Sequence, residues 1–188
     1  MEIKQHKIKV FHQECGLELF HFDKNDGKEW KRVFDLWKGL KLGLRDYKSR
    51  EPNFPEGLSE VAFCLWSGAG RYLKIRGVKI SGSFDTFDVK TQRAQQIKAC
   101  SVKYDLTSFG PKSKWDDLYF LDFYNDGKVD GYFDIYLVED KYIKNQSLNK
   151  SQKFTDQQTE KRRPRFSIKK EIIEKLNIKP IAEHVKVW

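Results

Sequence analysis

Ser83-Phe84-Asp85-Thr86-Phe87-Asp88-Val89, followed after a polar turn by Ala94-Gln95-Gln96-Ile97-Lys98-Ala99, is the stretch that decides the fold. Residues Ile80 to Val89 alternate, with Phe84 on one face and Asp85, Phe87 and Val89 on the other. Lys90 to Arg93 read as a turn, and Ala94 to Val102 as a second, mostly apolar strand. The spacing predicts a tight β-hairpin. If Phe87 faces Ala94, then Asp85 faces Gln96 and Ser83 faces Lys98. Directly opposed side chains stand roughly 4.5–5.5 Å apart at Cβ. One sheet face would then carry a carboxylate, an amide and an ammonium. Such a trio can hold a hard cation and place a lysine beside a phosphate.

Each residue has a plainer reading. Asp85 could be a solvated residue of an edge strand, but a charge inside an apolar strand is costly without a task. Asp88 projects from the other strand face beside the turn, and capping the Lys90 or Thr91 amides suits it. A β-bulge would exchange the two aspartates, so the choice between them stays open. Lys98 sits between Ile97 and Ala99 in a strand that otherwise looks like core. Its stem could snorkel to solvent, or its charge could meet Asp85 and a phosphate. Gln96 could be a hydrogen-bonded strand amide; as a ligand it would supply oxygen without charge.

The chain upstream supports a helix starting at Pro55-Glu56 and ending at Gly68 or Gly70, carrying Leu58, Val61, Ala62, Leu65 and Trp66. Glu60 lies within it. Glu56, one turn earlier, is explained by the helix dipole, whereas Glu60 is either solvated or part of a site. An earlier helix is expected from Trp30, Val33, Phe34, Trp37, Leu40 and Leu44, and a strand from Ile3 to Phe11. Arg71 to Ile75, Leu118 to Tyr124 and Lys128 to Val138 read as strands, the last two joined by an Asn125-Asp126-Gly127 hairpin turn. Glu139 to Lys161 is polar, loop or partly helical. Ser167 can cap a final helix over Ile168 to Leu176, with Ile172, Ile173 and Leu176 buried. This order suits an α/β (α+β) fold, a mixed central β-sheet flanked by helices.

Ser83-x-Asp85 followed by Gln96-x-Lys98-Ala99 resembles the active site of the PD-(D/E)xK nuclease superfamily, in the variant of small type II restriction endonucleases where Gln replaces the second acid. The close resemblance covers about Glu56 to Val102. It implies a restriction-endonuclease-like core in which Asp85 and Gln96, with the Ile97 carbonyl, bind Mg²⁺. Lys98 then activates water, and Glu60 completes the site. Asp105 to Asp134 and Arg162-Arg163-Pro164-Arg165-Phe166-Ser167 resemble, more distantly, short restriction enzymes that cut GC-rich palindromes such as GCNGC.

Charge agrees with a polyanionic partner. Lys and Arg number 36 against 27 acids, a net charge of +9 and a pI near 9.3. The best contacts to double-stranded DNA are Arg162, Arg163 and Arg165, whose forks suit guanine edges and phosphates. Gln157 and Gln158 precede them, and Lys112, Ser113 and Lys114 form a second loop of suitable chemistry. A solvated basic loop is the alternative for either run. Three dispersed cysteines (Cys15, Cys64, Cys100) suggest packed thiols. With no signal-peptide pattern and no run of roughly 18–20 apolar residues, a soluble cytoplasmic protein is expected.

The 188 residues read as one nuclease domain, with a catalytic core at about 56–138 and a DNA-contacting, helical appendage at 139–188. The expected activity is Mg²⁺-dependent hydrolysis of DNA at a short site by a homodimer, alongside a separate cognate DNA methyltransferase. Two alternatives stand beside it: a repair or junction-resolving nuclease of the same fold, and a non-catalytic basic nucleic-acid-binding protein with stacking aromatics. No phosphate-binding Gly-rich Lys-Ser/Thr loop and no H-E-x-x-H occurs.

Overall fold

The computed structural model describes residues 1–78 and 83–188. Ile80, the expected start of the motif hairpin, lies outside the described residues. Ten strands are present among the described residues: β1 (Glu2–Val10), β2 (Gln13–His21), β3 (Gly70–Arg76), β4 (Thr86–Asp88), β5 (Arg93–Cys100), β6 (Thr107–Ser108), β7 (Asp117–Asp122), β8 (Phe133–Val138), β9 (Arg165–Phe166) and β10 (Ala182–Val185). Eight of them form a mixed sheet in the order β1-β2-β3-β4-β5-β7-β8-β10. Within it only β5 and β7 pair in parallel. A second sheet joins β6 to β9.

Alternation along β5 divides its side chains between two layers. Ile97 points to one face, where it packs with Leu121, Ile135 and the helices α1 (Asp26–Asp46) and α2 (Glu56–Ser67). Trp30, Phe34, Trp37, Phe54, Leu58 and Phe63 fill this layer. Their indoles bury without orphaned donors, because Trp30 Nε1 donates to the Leu58 carbonyl and Trp37 Nε1 to that of Asn53. The other face carries two clusters. Phe109, Leu118, Phe120, Phe154, Phe166 and Ile172 form one, together with α3 (Asp140–Lys144) and α4 (Phe154–Thr159). Leu17, Leu19, Phe84, Phe87 and Ala94 form the other.

Several expectations are corrected by physical detail. α2 begins after Pro55 and ends at Gly68 with φ +77°, as the Pro and Gly signals predict. The Asn125-Asp126-Gly127 signal makes a 3₁₀ turn, not a tight hairpin, and β8 starts only at Phe133. All three turn residues take positive φ, and the Asp130 carboxylate holds both the Asn125 amide and the Tyr132 N–H, which lengthens the connection. The final helix is a π-helical turn at Lys169–Glu174. It buries Ile172 and Ile173 but leaves Leu176 exposed, because the wider turn rotates it off the stripe. In α1, Val33 and Leu40 face solvent rather than joining the buried Trp30, Phe34 and Trp37.

Candidate active site

The register of the motif hairpin is Phe87↔Ala94 and Thr86↔Gln95, as alternation predicts. Gln95 turns to the face of Thr86, whose hydroxyl donates to its amide oxygen at 2.9 Å. Asp88 is a turn residue. Its carboxylate accepts from the Lys90 N–H at 2.8 Å and from the Thr91 hydroxyl at 2.8 Å.

Strict alternation fails one step earlier. Phe84 packs against Phe87 and Tyr72 instead of pointing away from Phe87. The ladder between β4 and β5 ends at Thr86. The Asp85 N–H donates to the Gln95 carbonyl at 2.9 Å, one residue short of regular register. The Asp85 carboxylate then replaces the missing strand. Its Oδ2 accepts from the Ile97 N–H at 2.8 Å and from the Gln96 side-chain amide. A residue's N–H and C=O leave a strand on the same edge, so the Ile97 carbonyl also lies on the edge that Asp85 occupies.

Burial pushes the Asp85 carboxyl up to about 7; the Lys98 charge opposes this rise, Glu60 adds to it, and the Ile97 N–H opposes it. Lys98 is half-buried, shares the Gln96 face, and holds its ammonium 5.5 Å over the Phe109 ring. No carboxylate among the described residues lies within salt-bridge distance of it. Phe109 in turn donates its N–H to the Pro164 carbonyl at 3.0 Å and stacks on Phe166. The lysine is thereby tied to the segment Arg162–Phe166.

Glu60 sits on α2 with its carboxylate bound by Arg71 Nε at 2.5 Å. Burial raises its carboxyl, while Arg71 and Lys98 pull the other way. Glu60 therefore shares the electrostatic neighbourhood of Asp85 and Lys98, but Arg71 occupies it. Arg71 is the residue that sequence reasoning misses, since nothing in a β-strand arginine points to a helix glutamate eleven residues earlier.

The basic loops divide. Lys112, Ser113 and Lys114 run alongside Ser83, whose N–H donates to the Lys112 carbonyl and whose carbonyl accepts the Lys114 N–H. Ser83 lies two residues before Asp85, so this loop borders the site, with both lysines exposed. Arg163 and Arg165 are exposed on either side of the buried Pro164, with Phe166 buried beyond them. Arg162 is exposed and bonds Gln152 and Glu160. Gln158 donates to the Gly110 carbonyl, which anchors the first loop. Gln157 is buried and donates to Gln152, so its amide serves packing and does not face solvent.

The donor set fits a hard cation that keeps much of its water: one carboxylate, one amide oxygen and one carbonyl. Asp85 Oδ1 takes no hydrogen bond among the described residues. Gln96 presents its NH₂ to Asp85; ligation needs the amide turned so that its oxygen joins the carboxylate. Among the described residues no group of three His, Cys, Asp or Glu forms a cage for a softer metal. His6 and His21 meet at 3.0 Å without a third such ligand.

A mixed eight-stranded sheet flanked by helices is the architecture of a restriction-endonuclease-like fold. Comparison with known proteins makes the assignment sharper. The Bsp6I restriction endonuclease family matches residues 22–175. The type II restriction enzyme Bsp6I of Bacillus sp. (strain RFL6) is 35% identical over 167 residues, covering 88% of this chain and 91% of that enzyme. The chain belongs to the Bsp6I restriction endonuclease family, and so is an enzyme, a type II site-specific deoxyribonuclease. No solved structure matches it. No helix among the described residues is long and apolar enough to cross a membrane.

Proposed function

We propose that the protein hydrolyses double-stranded DNA in a Mg²⁺-dependent reaction at a short, palindromic, GC-rich sequence, with Asp85, Gln96 and Lys98 as its catalytic core. The observation that carries this reading is the Asp85 carboxylate standing in for the lost strand between Gln96 and the Ile97 amide, with the half-buried Lys98 next on the same face. Asp85, Gln96 and the Ile97 carbonyl hold the cation. Bound Mg²⁺ supplies positive charge to polarise the scissile phosphate. Lys98, with its ammonium unpaired among the described residues, orients water for in-line attack and stabilises charge developing on the phosphate. Glu60, clamped by Arg71 on α2, adds negative charge that favours a cation beside Asp85. Lys112 and Lys114 hold backbone phosphates beside Asp85. Arg163 and Arg165 reach base edges, where guanine O6 and N7 suit the arginine fork. A homodimer gives each strand of a palindrome its own site. A cognate DNA methyltransferase would protect the host's copies of the sequence.

Incubation with unmethylated phage DNA in Mg²⁺ or EDTA tests this reading. Discrete Mg²⁺-dependent fragments are expected, and sequencing their ends gives the site. A smear would favour a repair nuclease, and Mg²⁺-independent cutting would contradict the assignment.

A further inference from the structure

The turn between β1 and β2 is built from residues that such a turn disfavours. Val10 pairs with Gln13, so Phe11 and His12 make up the whole connection. Both take positive φ, +48° and +70°. Two-residue hairpin turns of this kind select Gly, Asn or Asp, which tolerate the left-handed region, and a bulky aromatic there is an outlier. Such strain persists only where neighbouring contacts impose it, and it gathers at binding sites. Here the Phe11 ring stands edge-on to Phe84 at 6.0 Å, and the Lys114 ammonium lies 4.3 Å from its centroid. Phe84 is the residue before Asp85, and Lys114 donates its N–H to the Ser83 carbonyl. The turn therefore closes against the loop that borders the site. Lys114 and His12 are both exposed. Among the described residues no carboxylate lies within salt-bridge distance of Lys114.

We propose, on the nuclease reading of the adjoining Asp85 site, that the Phe11-His12 turn is one wall of the DNA cleft. Phe11 is a positioning residue. Its ring face seats the Lys114 ammonium, within the roughly 6 Å over which a cation is held by an aromatic face. Lys114 then meets a backbone phosphate, and the His12 imidazole, next along the turn, donates to a phosphate oxygen beside it. A lysine already held in place loses less side-chain freedom on binding than a free one. Gly or Asn at position 11 would relax the backbone but offer the ammonium no seat. Phosphate contacts carry no sequence information, so this wall sets affinity and leaves sequence preference to other residues.

Binding of the full chain to double-stranded fragments of unmethylated phage DNA, measured in Ca²⁺ across a salt series, tests the proposal. Lys114→Ala should weaken binding about tenfold and lower the slope of log affinity against log salt by about 1, the mark of one phosphate contact. Phe11→Leu keeps an apolar side chain against Phe84 and should weaken binding about fivefold. In the Lys114→Ala background the same change should have no effect, because the ammonium it seats is gone. Phe11→Tyr keeps the ring and should bind like the parent. His12→Gly relieves a positive φ, so it should melt no lower than the parent while binding DNA about threefold more weakly. Phe11→Leu that weakens binding equally in both backgrounds would reduce Phe11 to a structural part and overturn the proposal. So would His12→Gly that binds like the parent, or Lys114→Ala that leaves the salt slope unchanged. A parent chain that cuts in Mg²⁺ while its variants give those results sinks this proposal alone. A parent that neither binds nor cuts the DNA sinks the nuclease reading and this proposal with it.

Discussion

Replacing Asp85 by Asn should stabilise the metal-free protein while abolishing cleavage. The Asp85 carboxyl is raised from 3.8 to about 7 in the fold, chiefly by burial. A raised carboxyl costs nothing below its unfolded value, where both states are protonated. The cost grows as pH climbs toward 7 and is constant above it. The full shift of about 3 units corresponds to about 4 kcal/mol at 1.36 kcal/mol per unit. Asp85 is only half-buried, and solvent relaxation should leave about 1–2 kcal/mol of that. Asn keeps an acceptor for the Ile97 N–H, so the ladder end stays closed. For a chain of this length the gain is roughly 2–8 °C in Tm. Calorimetry in EDTA at pH 8 and pH 5 reads it directly. The variant should melt higher at pH 8, and the gain should shrink by more than half at pH 5. A variant no more stable than the parent at pH 8, or equally stabilised at both pH values, would refute the argument that this carboxylate is held ionised against its environment.

Gln96→Glu adds a second carboxylate at the cation, and the Mg²⁺ concentration for half-maximal cleavage should fall about tenfold, read by titration. The same change should lower metal-free stability at pH 8, because two carboxylates then share one site. Arg71→Ala leaves Glu60 half-compensated and should cost roughly 1–3 kcal/mol in urea unfolding, with reduced turnover. Arg165→Ala should weaken binding to the cleavable sequence by about 1–3 kcal/mol in a gel shift with Ca²⁺, whereas Gln157→Ala should lower Tm and leave sequence preference unchanged.

The central hairpin is legible in the sequence because two apolar residues, Phe87 and Ala94, fix register by their shared face as far as the Thr86↔Gln95 pair, which leaves Asp85 beside Gln96. The place of Asp88 in the turn follows from its nearness to the Lys90 and Thr91 amides. The break at Phe84-Asp85 is not legible. It depends on β4 being cut to three residues, which tertiary packing of Phe84 on Tyr72 decides. Glu60 is identifiable as an acid on a helix, but its Arg71 partner requires knowing that β3 lies under α2. β2 carries a readable period-two pattern in Cys15, Leu17 and Leu19, between the expected first strand and the first helix. β10 has four residues and a register shift, too little for periodicity to register. Val33 and Leu40 of α1 read as core, because apolar residues at helical spacing do not by themselves tell a buried face from an exposed one.

The most direct test of the site is Lys98→Ala, measured for binding and cleavage on the same DNA. Lys98 is half-buried, and no carboxylate among the described residues holds it, so the fold should survive the change. Sequence-specific binding should persist in Ca²⁺ within a few-fold, while single-turnover cleavage in Mg²⁺ should fall by at least about a thousandfold. Cleavage within about tenfold of the parent, in a protein that binds and melts normally, would contradict the assignment of Asp85, Gln96 and Lys98 as the catalytic core.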